Sequence, residues 1–161
     1  MSLHAETKGY ASFIFENDAF VNQDNGFTNG LAFQWGYSPF DKFDDSNTPS
    51  WIQYITEDLY INTMPDKKRA ISYFVFQDMD TPKDITTSEL LPDDVPYAGT
   101  LGWTVKQHAF DRTTSDSLSL TLGVVGPLSL AEQSQTVIHQ IISAEAPQGW
   151  DNQVNHELVF R

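Results

Sequence analysis

No cysteine occurs in the chain, which excludes disulfides and any thiolate zinc site. Zero cysteine suits the cytosol and the cell envelope alike, so the compartment stays open. No apolar run approaches the ~18 residues that a spanning helix needs, and mean hydropathy is −0.37. A transmembrane α-helix is therefore excluded. A transmembrane β-barrel is not, because its alternating strands average out as polar. Basic side chains are scarce: 9 Lys and Arg stand against 22 Asp and Glu, a formal charge of −13 with a sequence pI near 4.3. That balance argues against nucleic acid as a partner, since phosphate tracking needs a basic footprint. No apolar signal core follows Met1-Ser2-Leu3, which reads as an added start, so any secretory signal peptide is expected to be already removed.

Aromatics are plentiful for so polar a chain, 13% of its residues, with 11 Phe, 6 Tyr and 4 Trp. At 161 residues the chain is read as a single domain, 1–161, long enough to bury a core.

Period-two alternation is the strongest pattern. Phe27, Asn29, Leu31, Phe33, Trp35 and Tyr37 alternate with Thr28, Gly30, Ala32, Gln34, Gly36 and Ser38. Large apolar groups thus fall on one face of a strand, small or polar ones on the other. The same alternation runs through 97–109, where Leu101, Trp103, Val105 and Ala109 oppose Gly102, Thr104, Lys106 and His108. It recurs in 117–124, where Leu118, Leu120, Leu122 and Val124 oppose Ser117, Ser119, Thr121 and Gly123. Weaker versions at 10–16, 70–77 and 153–160 bring the expected count to six strands. The pattern alone suits an antiparallel sheet with one wet face, and equally lipid-facing strands with a polar lumen behind them.

Two helices are expected in the connections. Trp51, Ile52, Ile55 and Leu59 follow Pro49 at helical spacing. Ser129-Leu130-Ala131-Glu132 reads as a capping box, after which Leu130, Val137, Ile138, Ile141 and Ile142 form one stripe, closed by Pro147. The connections at 38–69 and 78–96 are long for hairpins, a length that often carries function.

Several polar residues have two readings. Asn17 and Asp18 end the first strand, where Asn and Asp commonly serve as turn formers. Thr28 sits on the small-polar face, where a threonine is usually filler. His139 lies inside the second helix, by default a packing or surface residue, and Glu145 six residues on is by default a solvated charge. Strand parity raises the functional reading. In an up-and-down sheet the loops 17–26, 78–96 and 125–152 share one end, which brings Asn17, Asp18, Thr28, Lys83, His139 and Glu145 to one rim. Such oxygens with an imidazole suit a hard cation and an activated water.

The runs Glu16-Asn17-Asp18, Phe27-Thr28-Asn29-Gly30-Leu31, Pro92-Asp93-Asp94-x-Pro96-Tyr97-Ala98-Gly99, Leu122-Gly123-Val124-Val125-Gly126-Pro127 and Pro147-Gln148-Gly149-Trp150-Asp151-Asn152-Gln153 resemble the outer-membrane lipid A 3′-O-deacylase family of Gram-negative bacteria. Glu132-Gln133-x-Gln135 and His139 fit the same pattern, and the resemblance spans about Tyr10 to Glu157. It implies an all-β fold, an antiparallel up-and-down β-barrel of outer-membrane type with one or two loop helices. It also implies a site between the barrel wall and a helix of an extracellular loop.

The implied chemistry is calcium-dependent hydrolysis of an acyl ester on lipid A, the lipid anchor of lipopolysaccharide. By the resemblance, His139 matches the base that activates water. Asn17 and Asp18 match the polar pair that ends strand one and are the candidate Ca2+ ligands. Thr28 matches the hydroxyl residue that starts strand two, and Glu145 the acidic residue after the helix. Lys83 lies in the loop where the family carries a substrate-binding lysine, although its local spacing differs. Family chains are far longer, so the six strands read as an amino-terminal half, a partial barrel whose open edges invite self-association. Two other readings remain beside the hydrolase: a non-enzymatic lipid or ligand carrier of calyx type, and an inert structural fragment of the enzyme.

Overall fold

The computed structural model describes residues 6–17, 27–45 and 48–161, and the side chains among them apart from those of 17, 27–29 and 45. Among the described residues six strands follow one another in space as they do in sequence: β1 (Lys8–Asn17), β2 (Phe27–Phe40), β3 (Lys68–Asp80), β4 (Ala98–Phe110), β5 (Ser115–Val125) and β6 (Glu157–Phe160). Every neighbouring pair is antiparallel, and the sheet is an up-and-down meander that does not close. The expected all-β architecture of partial-barrel type is what these residues build. β1 to β5 run 10 to 14 residues each, long enough to cross an apolar band of about 25 Å at a tilt of about 40°.

Register carries the alternation across the whole sheet. The row Phe13–Phe33–Val75–Trp103–Leu122 lies on one face, and the row Ser12–Gln34–Phe74–Thr104–Thr121 on the other. On the apolar face Trp35 stacks on Tyr73 at 5.2 Å between ring centroids, and Tyr73 on Trp103 at 6.4 Å. Offset stacks of this kind add about 0.5–1.5 kcal/mol each beyond the area they bury. On the polar face Thr104 and Thr121 hydroxyls bond across β4 and β5 at 2.8 Å.

Both helical connections fold onto the apolar face. Short helices α1 (Ser50–Thr56) and α2 (Tyr60–Thr63) bury Ile52 and Ile61 against Ile71, Tyr73, Val105 and Ala109. Trp51 meets Trp103 there at 5.9 Å. Arg69 is buried beneath them, its guanidinium donating to the carbonyls of Lys67 and Met64 at 2.9 and 2.7 Å. The helix expected over 51–59 ends at Thr56, and a second short helix follows it at 60–63. At the other end of the same face, α3 (Ala131–Ile142) seats Ala131 with Met79, Tyr97 and Trp150 in a second small core.

Two local expectations are overturned. Ser129 is not the N-cap of α3: that position is Leu130, in the left-handed region at φ 59°, with no side-chain cap bond of its own, and Ser129 Oγ accepts only a long bond, 3.4 Å, from the Ala131 N–H. Ser129 is instead fully buried, and its carbonyl accepts a hydrogen bond from Gln77 Nε2 at 2.6 Å. The last strand starts at Glu157 rather than at 153, because 150–152 forms a turn of 3-10 helix and Val154 N–H is held by the Tyr97 carbonyl at 2.9 Å.

Candidate active site

The antiparallel order places the ends of β1, β3 and β5 at one rim, where Asn17 faces Asn29, Asp80 faces Ala98 and Val125 faces Glu157. α3 is docked at this rim by close backbone approach. A Cβ on Gly99 would stand 2.2 Å from Ser129 Oγ and 2.3 Å from the Ala131 Cβ, so only glycine lets the start of α3 sit on β4. Gly126, at φ 88°, turns the chain out of β5 toward the helix and donates its N–H to the Gly99 carbonyl at 2.9 Å.

His139 lies about two turns beyond Ala131, on the flank of α3 that also carries Glu132 and Thr136. The helix ends at Ile142, and Ser143 in the left-handed region (φ 57°) turns the chain back. That reversal brings the main-chain carbonyl of Glu145 to 2.5 Å from His139 Nδ1. A carbonyl only accepts, so Nδ1 carries a proton, and in the neutral ring that tautomer puts the lone pair on Nε2. Glu145 meets His139 through its backbone, while its own side chain is exposed.

One turn before His139, Gln135 is buried at 1% exposure. Its Oε1 accepts from Trp150 Nε1 at 2.7 Å. Indole only donates, which fixes the amide orientation and leaves Nε2 as the donor end. Among the described residues, Nε2 has no hydrogen-bond partner. A buried donor left unmade costs about 1–3 kcal/mol, a cost that functional sites commonly carry. The role of Gln135 is not evident from composition; its spacing four residues before His139 was the available signal.

The loops around α3 are stitched to one another. Tyr97 and Trp150 rings lie 4.8 Å apart, and a Cβ on Gly149 would strike the Tyr97 ring at 2.5 Å. Gln148 N–H donates to the Ile85 carbonyl at 2.8 Å and Asn152 Nδ2 to the Ser88 carbonyl at 2.8 Å. Burial pushes the Tyr97 hydroxyl above its ordinary value. Asp94 takes the backbone N–H groups of Lys83 at 3.0 Å and Val95 at 2.8 Å, which hold its carboxyl below the usual range. Lys83 is thereby fixed at its backbone in the loop that faces the rim.

Asn17 is the last residue of β1, at the rim as expected. Thr28 falls at the register irregularity between Phe27 and Asn29 in the β2–β3 pairing. The side chains of both, and Asp18 altogether, lie outside the described residues. Among the described residues no group of three or more His, Asp and Glu side chains is placed to hold a metal ion. The polar face carries a separate groove of 240 Å³ lined by Ile14, Glu16, Ala32, Phe74, Phe76 and Asp78, with Glu16 and Asp78 in register through Gly30.

Long alternating strands, a sheet with one aromatic and one polar face, and a loop helix that carries a histidine at the rim define an up-and-down β-protein of outer-membrane type. The sequence profile of the family described as outer membrane protein LpxR matches residues 1–161. The chain belongs to that family, the outer-membrane lipid A 3′-O-deacylases. Comparison with curated proteins and with solved structures returns no match.

Proposed function

We propose that this protein removes an ester-linked acyl group from lipid A in the outer membrane, with His139 as general base. The observation that carries the reading is the bond between His139 Nδ1 and the Glu145 carbonyl, which orients the ring and leaves Nε2 able to take a proton. Nε2 removes a proton from water as the water oxygen bonds to the ester carbonyl carbon. The tetrahedral intermediate then expels the sugar oxygen, which takes the proton back from Nε2, leaving an alcohol and a free acid. General base catalysis of this kind contributes about 10²–10⁴-fold.

Asn17 and Asp18 supply amide and carboxylate oxygens, the donors a hard cation such as Ca2+ takes. When bound, Ca2+ would polarise the ester carbonyl and stabilise the oxyanion. Thr28, at the start of β2, is assigned to the same site. The free donor of Gln135 suits an oxygen acceptor brought by water or substrate. Lys83 is assigned to the anionic head group of lipopolysaccharide, with the rim facing the cell exterior. The open edges β1 and β6 are assigned to self-association through strand pairing.

The test is release of free acyl chain from lipid A by the purified protein in detergent micelles, with and without a calcium chelator. The expected result is loss of one acyl chain per lipid A, abolished by the chelator and restored by added Ca2+. Release that continues unchanged with the chelator present would remove Ca2+ from the reading. No release under any of these conditions would remove the hydrolase itself.

A further inference from the structure

Helix α3 has unlike sides. Ala131 and Gln135 face the sheet and are buried, while Glu132, Thr136 and His139 follow one another along one flank by helical spacing. The other flank carries Leu130, Val137 and Ile141, which stand 53%, 53% and 76% exposed. Glu132 is the helix's only acidic residue, and no lysine or arginine interrupts the apolar flank.

We infer that this apolar flank of α3 is covered by lipid acyl chains of the outer leaflet. The first support is continuity. α3 sits on the aromatic face of the sheet through Gly99 and Gln77, and Phe13, Phe15, Phe33, Val75 and Leu122 of that same face are exposed as well. The second is the far end of the same face, where the α1–α2 segment exposes Trp51, Tyr54 and Tyr60, aromatics of the kind that mark a membrane interface. The third is membership in an outer-membrane family, so that a lipid phase bounds the barrel wall. An exposed apolar surface of this extent in water would be an aggregation liability.

With the flank embedded, α3 lies along the membrane interface as an amphipathic helix. An ester in the outer leaflet then reaches His139 sideways, without leaving the bilayer. That consequence rests on the hydrolase reading, whereas the placement of α3 does not.

Absence of native cysteine makes single-site labelling clean. Val137→Cys, Ile141→Cys and, as control, Gln133→Cys would each be labelled with an environment-sensitive fluorophore in outer-membrane vesicles. Leu130→Cys substitutes if either apolar-site variant is not produced. The expected result is strong quenching at 137 and 141 by nitroxide lipids, with iodide quenching several-fold weaker than at 133. Equal iodide quenching at all three positions would overturn the inference in favour of an aqueous flank. Shielding from both quenchers would also overturn it, in favour of a protein partner such as a second copy. Neither outcome depends on whether lipid A is hydrolysed.

Discussion

His139 Nδ1 and the main-chain carbonyl of Glu145 lie 2.5 Å apart, joined across the left-handed turn at Ser143. This contact makes Glu145 a positioning residue through its backbone, so its side chain and its carbonyl separate experimentally. Glu145→Gln is expected to leave ring orientation intact, while Ser143→Pro, which cannot adopt a positive φ, is expected to disturb it. Steady-state release of acyl chain should fall about 10-fold or more in the proline variant, as misplacement of a catalytic group does. Equal activity in S143P and the parent protein would show that this turn does not position the base.

Gly99 is the seat of α3. Gly99→Val places a side chain where Ser129 Oγ and the Ala131 Cβ already stand, at 2.2 and 2.3 Å from the first added carbon. Overpacking of this kind costs about 1–3 kcal/mol. Thermal unfolding in detergent should show a lowered Tm, and hydrogen exchange should show loss of protection confined first to 127–142.

The Trp150–Gln135 bond ties the 150–152 turn to the helix. Trp150→Phe removes the partner that Gln135 Oε1 has among the described residues, leaving a buried amide unsatisfied at a cost of about 1–3 kcal/mol. A double-mutant cycle with Gln135→Met should give a coupling of about 0.5–3 kcal/mol by denaturant unfolding. Additive effects would mean that the bond does not form in the membrane-bound protein.

Asp111 closes the β4–β5 turn, accepting from Lys67 Nζ at 2.6 Å and from the N–H groups of Thr113 and Thr114 at 2.7 and 2.9 Å. The Lys67 bond leads in holding its carboxyl well below the ordinary value of 3.8. A depressed folded value stabilises the fold above the unfolded value and loses that contribution as pH falls through the folded one. Asp111→Asn should therefore lower Tm at neutral pH, and the gap from the parent should narrow as pH drops below 3.8. A gap that is constant with pH would contradict the assignment.

Much of this architecture is legible in the residues. Alternation such as Leu31, Phe33, Trp35 against Gly30, Ala32, Gln34 gives strand, face and register together, because side-chain direction in a strand has period two. Parity then places the loop that bears His139 at the rim that ends β1. What local pattern does not carry is tertiary docking. Ser129 resembles an N-cap, yet contact with Gly99 buries it, and Leu130 takes the positive φ that brings the helix onto β4. Nor does the stripe Leu130, Val137, Ile141 turn inward: the sheet accepts the smaller Ala131 and the polar Gln135 instead. Asn17 and Thr28 are placed by the strand ends, Asp18 lies outside the described residues, and the roles of all three rest on the resemblance.

The most direct test of the central claim is the mass of lipid A from cells that make this protein, compared with cells that make its His139→Ala variant at equal outer-membrane level. The account predicts loss of one acyl group with the parent protein and unmodified lipid A with the variant. Identical deacylation by both would show that His139 is not the base.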